Sequence, residues 1–466
     1  MRISDIQTAF PDIVVPNIGN YYTEKIQLWQ NVFEGDPSWK TVGTPTVSDK
    51  KKTRTMGMLN VAKVLCDCFT DLTFSEQVEI TVDNEGYQEY INNQLNANGF
   101  WKNMPELLAN AYALGGCAVK AYVVDKQPKI DYIHADKFAP LAWNGKEVYD
   151  GAFVSVAVKD GNYYTLIERQ SKGKVEYKLY CSWGSGVLGS PVELSELYGD
   201  LPPETKYGDI DIPMFAYFKP SVSNNCEYDT PLGMSIYGNA LDTLKALDVA
   251  FDSFSREFVL GKKRIIVPAS CLQTVTDNDG NFVRYFDAND EAFVAFNAED
   301  VDNFKVTDNT VELRVEEHVK AINALLNILC LQVGLSAGSL SFDAVQGVKT
   351  ATEVISQDSK THRTIKSNQN LLTEMIESMV HSLIALGVWL GDIPKQEYKL
   401  TVGWQDNVVV DDNTLIDNTI KQYSAGLIDL ETALMKVHKF DEESAKKMAE
   451  KIRAGSAVGT ADFFGN

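Results

Sequence analysis

The chain has 466 residues, 44% hydrophobic and 10% aromatic, enough for roughly two to four domain-sized units with real cores. Its 43 lysines and arginines stand against 64 aspartates and glutamates, a formal net charge of −21. Proteins that grip nucleic acid tightly neutralise phosphates with basic surfaces, so that class is excluded; a polyanion beside DNA suits sliding better than holding.

In chain order, the first 115 residues read as helical: YYTEKIQLWQNVF, then MGMLNVAKVLCDCF, then EGYQEYINNQLNANGFWKNMPELLANAYALGG. From Cys117 to Pro220 the hydrophobic period falls to two. AVKAYVV and KIDYI are short strands, and GAFVSVAVK, YYTLIERQ and VEYKLYCSW follow, joined by Asp160-Gly161 and Lys172-Gly173. Such dipeptides between alternating runs predict an antiparallel meander.

After TPLGMS a rod carries Ile236, Ala240, Leu244, Leu247, Phe251, Phe254 and Phe258 on one stripe and ends at Gly261. Asp242, Asp248, Asp252 and Arg256 lie off that stripe, on the expected polar face. A second rod has the stripe Val315, Val319, Ile322, Leu326, Leu329 and Val333, with Asn309 and Glu312 as its cap. The two are expected to pair. Between them KKRIIVP, the turn NDGN, FVRYFD, EAFVAFN and FKVT form a small β-rich insert at their far end.

Past the second rod, Gly338 and Gly347 bracket a loose segment, and Thr350 with Glu353 is a capping box opening a long helix that can run to about Gly387. Its first turns, SQDSKTHRT, hold almost nothing apolar. The tail from Asp411 is helical again, with Gly426 as a stop, Asp429 as a new N-cap and Asp441 capping a last helix.

Catalytic patterns are few. GLSAG, Gly334 to Gly338, fits the nucleophile elbow and would make Ser336 a hydrolase nucleophile, but the elbow must follow a buried strand and this one follows a helix. GSGVLG, Gly184 to Gly189, fits the dinucleotide fingerprint without a convincing helix after it, and a meander loop explains it better. Asp277, Asp279 and Gly280 lack the glutamate that closes a calcium loop. No Walker A sequence or HExxH occurs, and neither metal nor cofactor is expected. Lys262, Lys263 and Arg264 complement a helix C-terminus or meet phosphate. Seven cysteines without a CxxC pair argue for buried thiols in a reducing compartment rather than a disulfide framework. MRISDIQTAFPD lacks a signal-peptide core, and the most apolar helix, AINALLNILCLQVGL, is broken by Asn323, Asn327 and Gln332. A cytoplasmic product without a membrane span is expected.

The order of these parts resembles the SPP1-like portal proteins of tailed bacteriophages. The residues that carry the likeness are PLGMSIYGNALDTLKALDVAFD, GKKRIIVP, GLSAGSLSFD, GVKTATEV, GWQDNVVVDD and YSAGLIDLETAL, spread over roughly residues 55 to 455. Asp429 departs from relatives, which often have serine there; both cap helices. The resemblance implies an α+β, mostly helical portal fold with an antiparallel β wing and a β-rich clip, assembled as a ring usually of twelve copies. Residues 1–230 would be the wing, 231–261 and 309–333 the stem helices, 262–308 the clip and 334–349 the tunnel loop. Residues 350–410 would be the long helix returning to the wing, and 411–466 the crown. Ser339, Ser341, Asp343, Gln346 and Lys349 would line a channel for double-stranded DNA, with Lys262, Lys263 and Arg264 as basic stem or channel residues. Asp277, Asn278, Asp279 and Arg284 would dock the terminase large subunit and head-completion or adaptor proteins. Major capsid and scaffolding proteins would be further partners of a non-enzymatic virion protein, assembled in the bacterial host cytoplasm. A serine hydrolase built on Ser336 and a monomeric adaptor or scaffolding module are the competing readings.

Overall fold

A computed structural model describes residues 2–19, 21–44, 51–74, 78–145, 147–227, 229–261, 265–266, 273–276, 282–285, 307–308, 312–342, 359–404, 412–426, 428–438 and 445–452. Helix and antiparallel sheet are mixed throughout, an α+β arrangement with helix the larger share.

Near the N-terminus a helix starts as one π-helical stretch, Tyr21–Ile26, and continues as Gln27–Phe33. Both Tyr21 and Tyr22 are buried, and their hydroxyls donate to Gly233 O at 2.8 Å and Phe138 O at 2.7 Å. The apolar periodicity that follows gives helices Val61–Phe74, Glu85–Ala97 and Phe100–Leu114. The first begins later than MGML implied, because Gly57 and Leu59 give their backbone N–H groups to aspartates of the first rod. The last two are separate helices: Gly99 takes φ +61°, a conformation costly for any residue with a Cβ.

The meander is present. Cys117–Val124 pairs with Gln127–His134 and with Phe215–Phe218. A larger sheet runs Phe138–Asn144, Glu147–Lys159, Asn162–Ser171, Lys174–Ser182 and Ser190–Val192 in sequential antiparallel order, with Glu204–Lys206 also paired to the fourth strand. Asp160 and Gly161 both have positive φ (52° and 78°), the two-residue turn whose twist matches the strands it joins. GSGVLG lies in the loop between the last two sequential strands, where a Cβ on Gly189 would fall 2.0 Å from Cys181 O. Backbone approach explains that glycine, and the loop opens no phosphate-binding helix.

The rods are Leu241–Leu260 and Val315–Val333. The first starts five residues after Ile236, so Ile236 and Ala240 precede it. The second has Arg314 as N-cap without a side-chain cap hydrogen bond, and Glu312 lies before it outside the helix, so the expected capping box is not what starts this rod; Asn309 lies outside the described residues. They run antiparallel: Leu313 faces Gly261, and the Phe254 ring meets His318 with centroids 5.9 Å apart. Just beyond them Ile265–Ile266 pairs with Thr307–Asp308, and Gln273–Thr276 with Phe282–Tyr285. NDGN and EAFVAFN lie outside the described residues.

The long helix is described over Ser359–Leu390. Its buried row, from Ile365 through Leu372, Met375, Ile376, Met379, Val380, Leu383, Ile384 and Leu386, packs against Phe215–Phe218, Cys117–Val124 and Val61–Phe74. By length and composition this helix, rather than the second rod, is the one apolar enough to cross a bilayer among the described residues. Here the protein's own sheets and helices cover that row. Gly387 does not end it: a Cβ there would lie 2.6 Å from Tyr90 Cζ, so the glycine admits a neighbouring ring, and Gly391 at φ +82° makes the stop. The chain then returns as Leu400–Trp404, paired in register with Val78–Val82.

In the tail, Asp412–Ser424 stops at Gly426 (φ +71°), and Asp429 Oδ1 accepts from Thr432 N at 2.8 Å, capping Leu430–His438. Residues 445–452 are helical; Asp441 lies outside the described residues.

Candidate functional site

The sequence places its functional weight where the second rod ends and the long helix begins. Gly334, at φ +87°, closes the rod in the left-handed conformation, with its N–H bonded to Cys330 O. The chain then folds back along the rod. Gly338 N donates to Asn327 Oδ1 at 2.8 Å, and Phe342 N donates to Asn323 Oδ1 at 2.7 Å. The asparagines that interrupt the apolar run are therefore acceptors, one helical turn apart, for a returning backbone. Phe342 packs its ring against Phe251 and Phe254 of the first rod, with centroids 6.3 and 5.9 Å away.

The described polar residues at the start of the long helix find partners within the chain. Thr361 is fully buried, and its Oγ1 accepts from Ser336 N at 3.0 Å and donates to Ser336 Oγ at 3.3 Å. Thr364 Oγ1 donates to Gly334 O at 2.7 Å, and Lys360 Nζ to Leu331 O at 3.0 Å. Asn368, 1% exposed, accepts from Ser221 N and donates to Ser221 Oγ. These side chains satisfy the orphan carbonyls and amides of a helix exit, so a polar helix face is buried without leaving its groups unpaired.

Ser336 sits on a helix exit with its hydroxyl turned to a threonine. A nucleophile elbow needs a strained strand-to-helix turn and a base beside the hydroxyl; Ser336 instead follows a helix, and among the described residues its hydroxyl meets Thr361. Burial pushes the Cys66 and Cys117 thiols up, and the Cys68 thiol up to about 12, which removes thiolate chemistry at neutral pH. Cys271 lies outside the described residues.

The acids of the first rod form a second cluster that its sequence pattern hid. Asp248 and Asp252 are 5% and 6% exposed and do not lie on a solvated face. Asp248 accepts from Trp39 Nε1 at 2.9 Å and Leu59 N at 3.2 Å; Asp252 accepts from Arg54 Nη1 and Nη2 at 2.8 and 2.6 Å and from Gly57 N at 3.0 Å. The Arg54 hydrogen bonds hold the Asp252 carboxyl below its ordinary range, whereas burial raises Asp248 despite its hydrogen bonds. At the rod's far end Glu257 takes a two-pronged contact from Arg314, at 3.1 and 3.0 Å, which lowers its pKa to about 2.

Of the residues expected to line a channel, Ser339 is half-buried and Ser341 exposed, both on the folded-back segment. Asp343, Gln346 and Lys349, the capping pair Thr350 and Glu353, and Lys262, Lys263 and Arg264 lie outside the described residues. So do Asp277, Asn278 and Asp279. Arg284 lies on the strand Phe282–Tyr285, opposite Thr274.

A family model described as phage portal protein, SPP1 Gp6-like, matches residues 15–457. The chain belongs to that family. No curated protein matches it. This portal protein is thus a structural component of a bacteriophage, a head-to-tail connector at the capsid vertex that serves DNA packaging. The family match spans the rods, the folded-back segment and the start of the long helix together.

Proposed function

We propose that the protein assembles as a closed ring, of twelve copies by family resemblance, through whose centre double-stranded DNA enters and leaves the capsid without sequence preference. In this reading residues 1–230 are the wing, the two rods the stem, 262–308 the clip, 334–349 the tunnel loop, 350–410 the long helix with its return to the wing, and 411–466 the crown. The observation that carries it is the antiparallel rod pair, with paired strands just past one end and the folded-back segment at the other. Such a plan separates a docking end from the body. Asp343, Gln346 and Lys349 then join Ser339 and Ser341 beside the DNA path, with Lys262, Lys263 and Arg264 along the stem. Weak, salt-screened lysine contacts in an acidic channel steady a duplex without stopping it.

The clip, through Asp277, Asn278, Asp279 and Arg284, docks the terminase large subunit and later the head-completion proteins. Capsid and scaffolding proteins meet the outer surface during assembly in the host cytoplasm. The protein performs no catalysis; the energy for packaging comes from the terminase. Replacing Asp277 and Asp279 by lysine tests the docking role. Assembly should be intact while capture of terminase and completion proteins in a pull-down weakens, since charges at an interface rim govern association. Unchanged capture removes this turn from the docking site.

A further inference from the structure

The two sides of the large sheet are built differently. On one side an outermost strand is Ser190–Val192, three residues long with Pro191 at its centre. Proline offers no N–H, and short or proline-bearing edges are how sheets avoid unwanted pairing. On the other side Phe138–Asn144 covers Glu147–Lys159 only as far as the pair Phe138 and Phe153. From Val154 to Lys159 that strand is paired with Asn162–Ser171 alone.

The turn Asp160-Gly161 sets which backbone groups are free. Residues flanking a two-residue turn exchange both backbone hydrogen bonds, as do the pairs at every second position beyond it. Lys159 with Asn162, Ala157 with Tyr164 and Ser155 with Leu166 are the bonded pairs. Val154, Val156 and Val158 therefore turn their N–H and C=O groups outward, and among the described residues nothing takes them. Their side chains share one face of the sheet, and Val156 and Val158 are 60% and 64% exposed. No proline, glycine, bulge or charge interrupts this row before Lys159. Exposed Lys137 stands where Phe138–Asn144 turns away, and Lys159 stands at the other end. Neither forms an ion pair among the described residues, although Lys159 Nζ donates to Glu196 O. Asp136 and Asp160 adjoin them in sequence without pairing with them.

We propose that Val154–Lys159 is an open edge that takes up an extended segment of another polypeptide as an added strand. The segment is about six residues long, to match an edge of about 20 Å at about 3.4 Å per residue. It carries apolar residues at alternate positions to cover the valines, and a carboxylate near each end for Lys137 and Lys159. Main-chain hydrogen bonds supply the affinity; alternate side chains and end charges choose the partner. A second copy of this chain does not fit the role. The same edge of a neighbour pairs only about a twofold axis, which closes after two copies, and the opposite side is blocked at Pro191. That exclusion rests on the ring reading.

The test uses the full-length protein and a fluorescein-labelled peptide, Glu-Val-Thr-Val-Thr-Val-Glu, followed by anisotropy. The parent should bind it saturably. The same peptide with proline at its centre should bind about tenfold more weakly, the loss expected for one or two backbone hydrogen bonds. Val156→Pro removes an outward N–H and leaves the pairing with Asn162–Ser171 in place. It should weaken binding to a similar degree, with oligomer mass and Tm unchanged. Val156→Asp with Val158→Asp, at two exposed positions, should do the same and serves if the proline variant fails to fold. Lys137→Gln with Lys159→Gln should remove the preference for this peptide over one ending in lysines. A parent that does not distinguish the proline peptide, or folded edge variants that bind as the parent does, overturns the proposal. So does equal binding of the acidic and lysine-ended peptides by the parent. A fall in oligomer mass in a folded edge variant also overturns it, because the edge then joins copies. Failure of the parent to oligomerise counts against the ring reading instead, and the peptide comparison then decides the proposal on the single chain.

Discussion

Arg54 reaches across 198 residues of sequence to grip Asp252 with both terminal nitrogens, fastening the chain before Val61 to the side of the first rod. The Asp252 side chain is 9% exposed and that of Arg54 29%, so the pair is partly shielded from screening. Removing one partner of such a pair leaves a buried charge poorly compensated. We expect Arg54→Ala to cost about 2 kcal/mol, at or below the low end for buried pairs because Arg54 keeps some solvent. Arg54→Met combined with Asp252→Leu should recover much of that loss. Thermal unfolding of the three variants checks this, and a double variant no better than the singles would show that the backbone contact to Gly57 is the main fastening.

Acid should loosen the rods through a narrow window. Arg314 holds Glu257 at about 2, and Arg54 lowers Asp252. A carboxylate with a depressed folded-state pKa gives stability that is present above its unfolded value, near 4.3 for Glu and 3.9 for Asp, and lost as pH falls through the folded one. Asp248, raised by burial, has the opposite sign: its protonation relieves a cost as pH falls. The expected net result is a Tm that drops between about pH 4.5 and 2, with a shallower drop in Glu257→Gln. Parallel Tm profiles for parent and variant would exclude Glu257 as a contributor.

Thr361→Val leaves the buried Ser336 N–H without its acceptor and should cost about 1–3 kcal/mol. Ser336→Ala keeps that bond and should cost less than about 1 kcal/mol, because it removes only the longer hydroxyl–hydroxyl hydrogen bond. Denaturant unfolding separates the two. An esterase panel on the same proteins should find no activity that depends on Ser336; hydrolysis abolished by Ser336→Ala would restore the nucleophile reading.

Local rules made much of this fold legible. Alternation and Asp160-Gly161 marked the meander, apolar spacing marked both rods, and Asp429 identified itself as a cap. What escaped were features whose partners are remote in sequence. Asp248 and Asp252 look like any solvated helix face until Trp39 and Arg54 are brought against them. Thr361, Thr364 and Asn368 look like a helix start with no core, because hydrogen bonds to Ser336, Gly334 and Ser221 leave no periodic trace. Gly387 read as a stop because its reason, the Tyr90 ring, lies nearly three hundred residues upstream. In the candidate site, Asn323 and Asn327 were visible as interruptions of an apolar run, but nothing local said that they receive a returning backbone. Polar residues interrupting an apolar run just before a glycine exit are the signal that points to such a fold-back.

Everything proposed for this protein depends on copies of the chain closing around a hole, and negative-stain electron microscopy of the purified protein can see that hole. End-on views should show rings with a stain-filled centre wide enough for a duplex, and side views a narrow stem, at micromolar concentration and across moderate salt. Obligate contacts of that kind bury on the order of 2,000–5,000 Å² per interface. Fields of single particles matching the 51.8 kDa chain, unchanged when scaffolding protein is supplied, would contradict it.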